Sequence, residues 1–213
     1  MNMQLGDGKH ERAATSTLDV LWVLYDRVLR IDPAHPADPT RDRFLLSKGH
    51  GPQAYFAVLA AKGFFPVEWL ATFGTFDSPL GHHPDRTLVP GVEISSGSLG
   101  HGLPIAVGVS LALDAGEESE PRVFVLLGDG ELDEGSNHEA MALAGRLGLE
   151  RLTTVLIDNR SSSYGWPGGP GRRFETEGWD VSVVDGRDHV AIEEALAERA
   201  DGVPRAVIAE VLA

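Results

Sequence analysis

Two oxygen-bearing side chains stand at the ends of two apolar runs. Val123-Phe124-Val125-Leu126-Leu127 leads into Gly128-Asp129-Gly130, and Thr154-Val155-Leu156-Ile157 leads into Asp158-Asn159. Asp129 offers a carboxylate and Asn159 an amide oxygen, about thirty residues apart. Both are hard ligands, suited to Mg2+ or Ca2+ rather than to a soft metal. Mg2+ takes few protein ligands and completes its octahedron with phosphate oxygens and water. The pair therefore suits a divalent cation that holds a diphosphate, and a backbone carbonyl from the loop after Asn159 can join it. The glycines beside Asp129 let a diphosphate approach the backbone closely. A helix is expected soon after, and its N-terminus favours anions. The plainer reading is an ordinary strand-end turn and a turn asparagine. Each half alone favours that reading; both halves at this spacing favour the site.

Glu131 and Asp133 read as charges placed by the helix dipole, whereas Glu134, followed by Gly135, is the better candidate for a buried role. Gly97-Ser98-Leu99-Gly100-His101-Gly102 opens a small apolar stretch. Its glycine order is not that of a dinucleotide fingerprint, and close packing at a helix start would also explain it. Of the eight histidines, His50, His82 and His83 sit on loops that could flank an anion site, and His10 precedes the first helix. Lone loop histidines are usually just solvated. No His-x-x-x-His or other zinc spacing occurs, and no Gly-x-Ser-x-Gly elbow.

The elements that must carry these residues alternate. Leu18, Leu21, Trp22, Tyr25, Val28 and Leu29 have helical spacing, which predicts a helix over 16–31 with Ser16 or Thr17 as cap. Prolines 33, 36 and 39 force a loop. Helices are expected over 52–62, shortly after Pro66, and over 103–113, the last a buried helix. Residues 78–91 and 160–171 read as irregular. Strands are expected over 122–127, 152–157, 181–184 and 205–212, with helices over 136–147 and 189–199. This alternation predicts an α/β fold, a doubly wound parallel sheet with helices on both faces. Such sheets bind ligands at the carboxyl ends of their strands, where Asp129 and Asn159 lie.

The 213 residues are enough for one sizeable domain, expected over 1–213. Apolar residues at 42% and charged residues at 23% are ordinary for a soluble globular protein. No window approaches a membrane span and the first residues do not read as a secretory signal. With no cysteine, disulfides, thiolate metal sites and cysteine nucleophiles are excluded. A cytoplasmic location fits. A net charge of -14 repels nucleic acid and anionic membranes, so neither is expected as a partner.

At these residues the chain resembles the transketolase family, specifically its N-terminal, thiamine-diphosphate-binding half. Gly128-Asp129-Gly130 through Asn159 resembles the family's thiamine motif. Arg41-Asp42-Arg43-Phe44 through Ser47-Lys48-Gly49-His50, Gly81-His82-His83-Pro84-Asp85, Gly97-Ser98-Leu99-Gly100-His101-Gly102 and Glu134-Gly135 through Glu139-Ala140 resemble further family segments in the same order. The resemblance implies that Asp129, Asn159 and the carbonyl of Ser161 hold Mg2+ (or Ca2+) on the cofactor. It implies that Gly130 and His50 contact the diphosphate and that Gly97 and Leu99 bond the aminopyrimidine through their backbone. His83 and His10 would face the substrate, and Glu134 would sit at a subunit interface near the cofactor's proton network.

Full transketolase subunits carry a second, pyrimidine-type domain, which this sequence lacks. The resemblance therefore implies the smaller partner of a split, two-subunit transketolase. The expected assembly is a heterotetramer with a pyrimidine-domain subunit, transferring a two-carbon ketol unit from a ketose or ketose phosphate to an aldose. The alternatives are a subunit of another thiamine-dependent enzyme, 2-oxoacid decarboxylating or acyloin-forming, and a non-catalytic scaffold subunit.

Overall fold

The computed structural model describes residues 15–116 and 121–211. Its centre is a five-stranded, wholly parallel sheet in the order β1-β2-β3-β5-β4. The strands are β1 (Arg43–Leu46), β2 (Val123–Gly128), β3 (Leu152–Asp158), β4 (Asp180–Asp185) and β5 (Arg205–Glu210). Every residue of β2 is buried, as expected for a central parallel strand covered on both faces. The helices are α1 (Leu18–Val23), α2 (Gln53–Ala61), α3 (Gly102–Ala115), α4 (Gly135–Leu147), α5 (Gly171–Thr176) and α6 (His189–Ala197).

Side-chain alternation along the strands sorts the core into two layers. Phe44, Leu46, Phe124, Leu126, Val155 and Ile157 face α1, α2 and α6. Leu45, Val123, Val125, Leu127, Leu152 and Leu156 face α3, α4 and α5. The expected doubly wound architecture is therefore present. Between strands the chain adds a 3-10 segment after Pro66 (Val67–Thr72) and another (Asp129–Asp133) directly after β2.

Several sequence expectations need correction. The helix expected over 16–31 is short: α1 passes into a π-helical turn, Leu24–Val28, and Leu29 is already extended. The reason is tertiary. Asp42, fully buried, accepts from the Arg30 backbone N–H at 3.0 Å and from the Arg30 and Arg122 guanidiniums. That grip pulls the chain out of the helix towards β1. β1 is not among the strands expected above, because four residues give too little periodicity to declare one. Residue Thr17 stands at the N-cap of α1 without a side-chain capping bond. Helix α3 is not wholly buried, because Ile105 and Leu111 are exposed. The end of the loop expected over 160–171 opens into α5, a helix that the Gly/Pro-rich composition hid.

Candidate active site

The register of the sheet brings three strand ends side by side. Leu46 pairs with Leu126 and Gly128 with Ile157. The residues that follow, Ser47-Lys48, Asp129 and Asn159, therefore share the carboxyl edge of the sheet, where parallel α/β sheets bind ligands.

Asp129 is 4% exposed. Its Oδ1 accepts from the Gly130 N–H at 2.9 Å and the Ser161 hydroxyl at 2.5 Å. Its Oδ2 accepts from the N–H groups of Ser161 at 2.5 Å and Ser162 at 3.0 Å. The loop after β3 thus wraps onto the turn after β2. Arg160, in that loop, has a φ of 57°, the only left-handed non-glycine among the described residues. Asn159 reaches Ser16 Oγ with its Nδ2 at 3.5 Å, but its Oδ1 is buried with no hydrogen-bond partner. An unpaired buried amide oxygen costs about 1–3 kcal/mol. Among the described residues no three His, Cys, Asp or Glu side chains converge on a common point. The donors here are instead one carboxylate, one amide and, near Gly130, the Ser161 carbonyl. This hard-oxygen set fits Mg2+ or Ca2+ with phosphate oxygens as the remaining ligands.

Lys48 lies beneath Gly128, where an added Cβ would approach its Cδ to 3.1 Å. Its Nζ donates to Ser16 Oγ at 3.2 Å. Burial pushes its pKa down to about 8, although the charges of Asp129 and Glu131 pull the other way. A lysine beside two carboxylates gives this edge the cation that an acidic chain needs before an anion can enter. The sequence pointed to Ser16 only as a helix cap and did not mark Lys48 as a site residue. Lys48 does lie inside the family-like segment that ends at His50, and that was the available signal.

The histidines separate. His50 and His83 meet edge to face, with ring centroids 4.9 Å apart. His82 turns away to Phe73. His10 lies outside the described residues. Gly97 has a φ of 150°, and a Cβ there would lie 2.7 Å from the His83 ring. Gly100 has a φ of 83°, and a Cβ there would lie 2.7 Å from Glu134 Cβ. The Gly97–Gly102 loop is therefore threaded between His83 and Glu134, with Leu99 half-buried in it. Small residues are required on both sides.

The two acids after the turn differ in burial. Within this chain Glu134 is exposed, while Glu131 is 2% exposed. Burial raises the pKa of Glu131, against bonds from Ser47, Gly100 and Gly128. The 3-10 segment places Leu132 and Glu131 inward together. A leucine within an acidic run was the signal that this turn enters the core.

The profile of the transketolase thiamine diphosphate binding domain matches residues 3–211. The chain belongs to that family. Its known relatives differ in how much else they carry. A protein named ferredoxin fas2 from Rhodococcoides fascians is 57% identical over 206 residues, which are 97% of this chain and 68% of that one. Ferredoxin clusters are held by cysteine thiolates, and none of these 213 residues is a cysteine. One of the subunits of the apulose-4-phosphate transketolase from Actinobacillus succinogenes is 37% identical over 216 residues, covering 98% of this chain and 78% of that one. Transketolase from Leishmania mexicana superposes with a TM-score of 0.80 at 27% identity over 92% of this chain. The chain spans only 35% of that enzyme's length. This thiamine diphosphate binding domain therefore has the family's fold.

Proposed function

We propose that the chain is the diphosphate-binding subunit of a two-subunit ketol transferase that depends on thiamine diphosphate and Mg2+ (Ca2+ as substitute). The observation that carries the reading is Asn159 Oδ1, buried and unpartnered beside Asp129 on the adjoining strand end. Such an atom is costly in the free chain and is satisfied by a cation.

When bound, thiamine diphosphate supplies the electron sink that allows a carbon–carbon bond beside a ketose carbonyl to break. The chain supplies binding and orientation. Asp129, Asn159 and the Ser161 carbonyl hold the metal. All four lone-pair directions of Asp129 are occupied by its own loop, so a metal held there would take the place of a Ser161 or Ser162 bond. Gly130 and His50 contact the diphosphate, with Lys48 adding positive charge. The backbone of Gly97 and Leu99 receives the aminopyrimidine. His83, packed on His50, and His10 face the sugar. Glu134, exposed on this chain, meets the partner.

That a partner chain completes the site is supported by the name of the Actinobacillus relative, which makes it one subunit of its enzyme. The expected partner is a pyrimidine-type domain on a separate chain, in a heterotetramer, with residues 1–213 as a single domain. Sugars or sugar phosphates are the substrates, a two-carbon ketol unit is the group moved, and the cytoplasm is the expected location. Among the described residues no helix is long and apolar enough to cross a membrane.

Transfer between ketose and aldose phosphates is assayed with the chain alone and with its partner. Activity only in the mixture supports the reading. Robust transfer by the isolated chain refutes the need for a partner, and turnover of pyruvate in place of ketoses refutes the substrate class.

A further inference from the structure

Glu131 has no part in the roles above, yet a carboxylate this deeply buried is costly unless its bonds are good. Its Oε1 accepts from the Gly100 N–H at 2.9 Å and from the Ser47 hydroxyl. Ser47 Oγ in turn accepts from the Gly102 N–H at 3.0 Å. Gly100 is also gripped at its carbonyl, by Ser136 Oγ at 2.7 Å. One carboxylate oxygen thus fastens the Gly97–Gly102 loop, directly and through Ser47, to the turn that carries Asp129.

The loop needs such a tether. Gly97 and Gly100 adopt positive φ, and glycine loses more conformational freedom on ordering than any other residue. Bonds to an ionised acceptor are roughly twice as strong as neutral ones. An apolar side chain would fill the same space at lower desolvation cost but would hold neither N–H group.

We propose that Glu131 is a positioning residue. It locks the loop offered to the cofactor's head in register with the site offered to its diphosphate. This rests on the cofactor reading above.

The test compares two ligands on the full chain, thiamine diphosphate and inorganic diphosphate, each with Mg2+. Glu131→Ala weakens thiamine diphosphate by about tenfold or more, while inorganic diphosphate changes by less than about twofold. Glu131→Gln keeps an oxygen at the Oε1 position and restores most of the difference. Hydrogen exchange at the Gly100 and Gly102 amides accelerates by about tenfold or more in the alanine variant, and exchange at Gly130 does not. Ser47→Ala cuts the outer arm of the tether and shifts the ligand preference in the same direction; it serves if Glu131→Ala does not fold. Equal weakening of both ligands, or of neither, overturns the proposal and leaves the cofactor reading standing. If the wild-type chain binds neither ligand even with a pyrimidine-domain partner present, the cofactor reading fails and the proposal falls with it.

Discussion

Gly102→Ala should destabilise the protein severely, while Gly108→Ala, two turns further along α3, should not. An ideal Cβ at Gly102 would overlap Ser47 Cβ and Oγ and lie 2.8 Å from Ser47 Cα. Ser47 directly follows β1 and is 1% exposed, so it has no free space to enter. Overpacking of this kind costs about 1–3 kcal/mol. Moving Ser47 also strains its bonds to Gly102 and Glu131, which adds about 2 kcal/mol. The total is about 3–5 kcal/mol, a large share of the 5–15 kcal/mol typical of a domain. For a chain of this size that lowers Tm by about 6–20 °C. At Gly108 a Cβ would meet nothing within 4 Å, and alanine is the better helix former by about 1 kcal/mol. Calorimetric melting of the two variants is the assay. A Gly102→Ala protein that melts within about 2 °C of wild type would refute the packing of α3 against Ser47. A large loss in Gly108→Ala would show that the exposed face of this helix is covered.

Acid should weaken the buried knot at Asp42. Burial pushes this carboxyl up, but the bonds from Arg30 and Arg122 outweigh it and leave its pKa below the ordinary value. The contribution is therefore fully present above about pH 4 and is lost as pH falls through the lower folded value. Urea denaturation should find Asp42→Asn destabilised by about 3–5 kcal/mol at neutral pH, the gap closing below about pH 4; a gap independent of pH contradicts the assignment. Thr154→Val should leave the protein as stable as wild type or raise stability by about 1 kcal/mol, because Thr154 Oγ1 is buried without a partner. A loss above about 1 kcal/mol would mean that this hydroxyl is satisfied.

How far residues revealed structure depended on how local their causes were. The runs of β2 and β3 are apolar throughout and end in glycine or polar residues, so strand, direction and site edge follow from the sequence alone. β1 escaped because four residues carry no period, and its strand character comes from pairing with β2. The early end of the first helix escaped because Asp42 enforces it from twelve residues away. The burial of Glu131 escaped because burial after a turn depends on its pitch. A continuous α-helix would have placed Glu131 outward, whereas the 3-10 turn directs it to Ser47 and Gly100. Lys48 joined the site through the register of β1 on β2, and Ser16 through side-chain bonds to Lys48 and Asn159, neither of which spacing along the chain displays. The meeting of His50 with His83 is likewise a contact between loops distant in sequence.

The central claim, that Asp129 and Asn159 form a metal–diphosphate half-site, is tested most directly by titrating thiamine diphosphate with Mg2+ into wild type and Asn159→Ala. Asn159 Oδ1 bonds nothing in the free chain, so its removal should leave Tm within about 3 °C. Loss of the same atom should weaken Mg2+-dependent binding by about 30-fold or more. A variant that keeps its Tm and binds thiamine diphosphate with wild-type affinity and wild-type Mg2+ dependence would contradict the account.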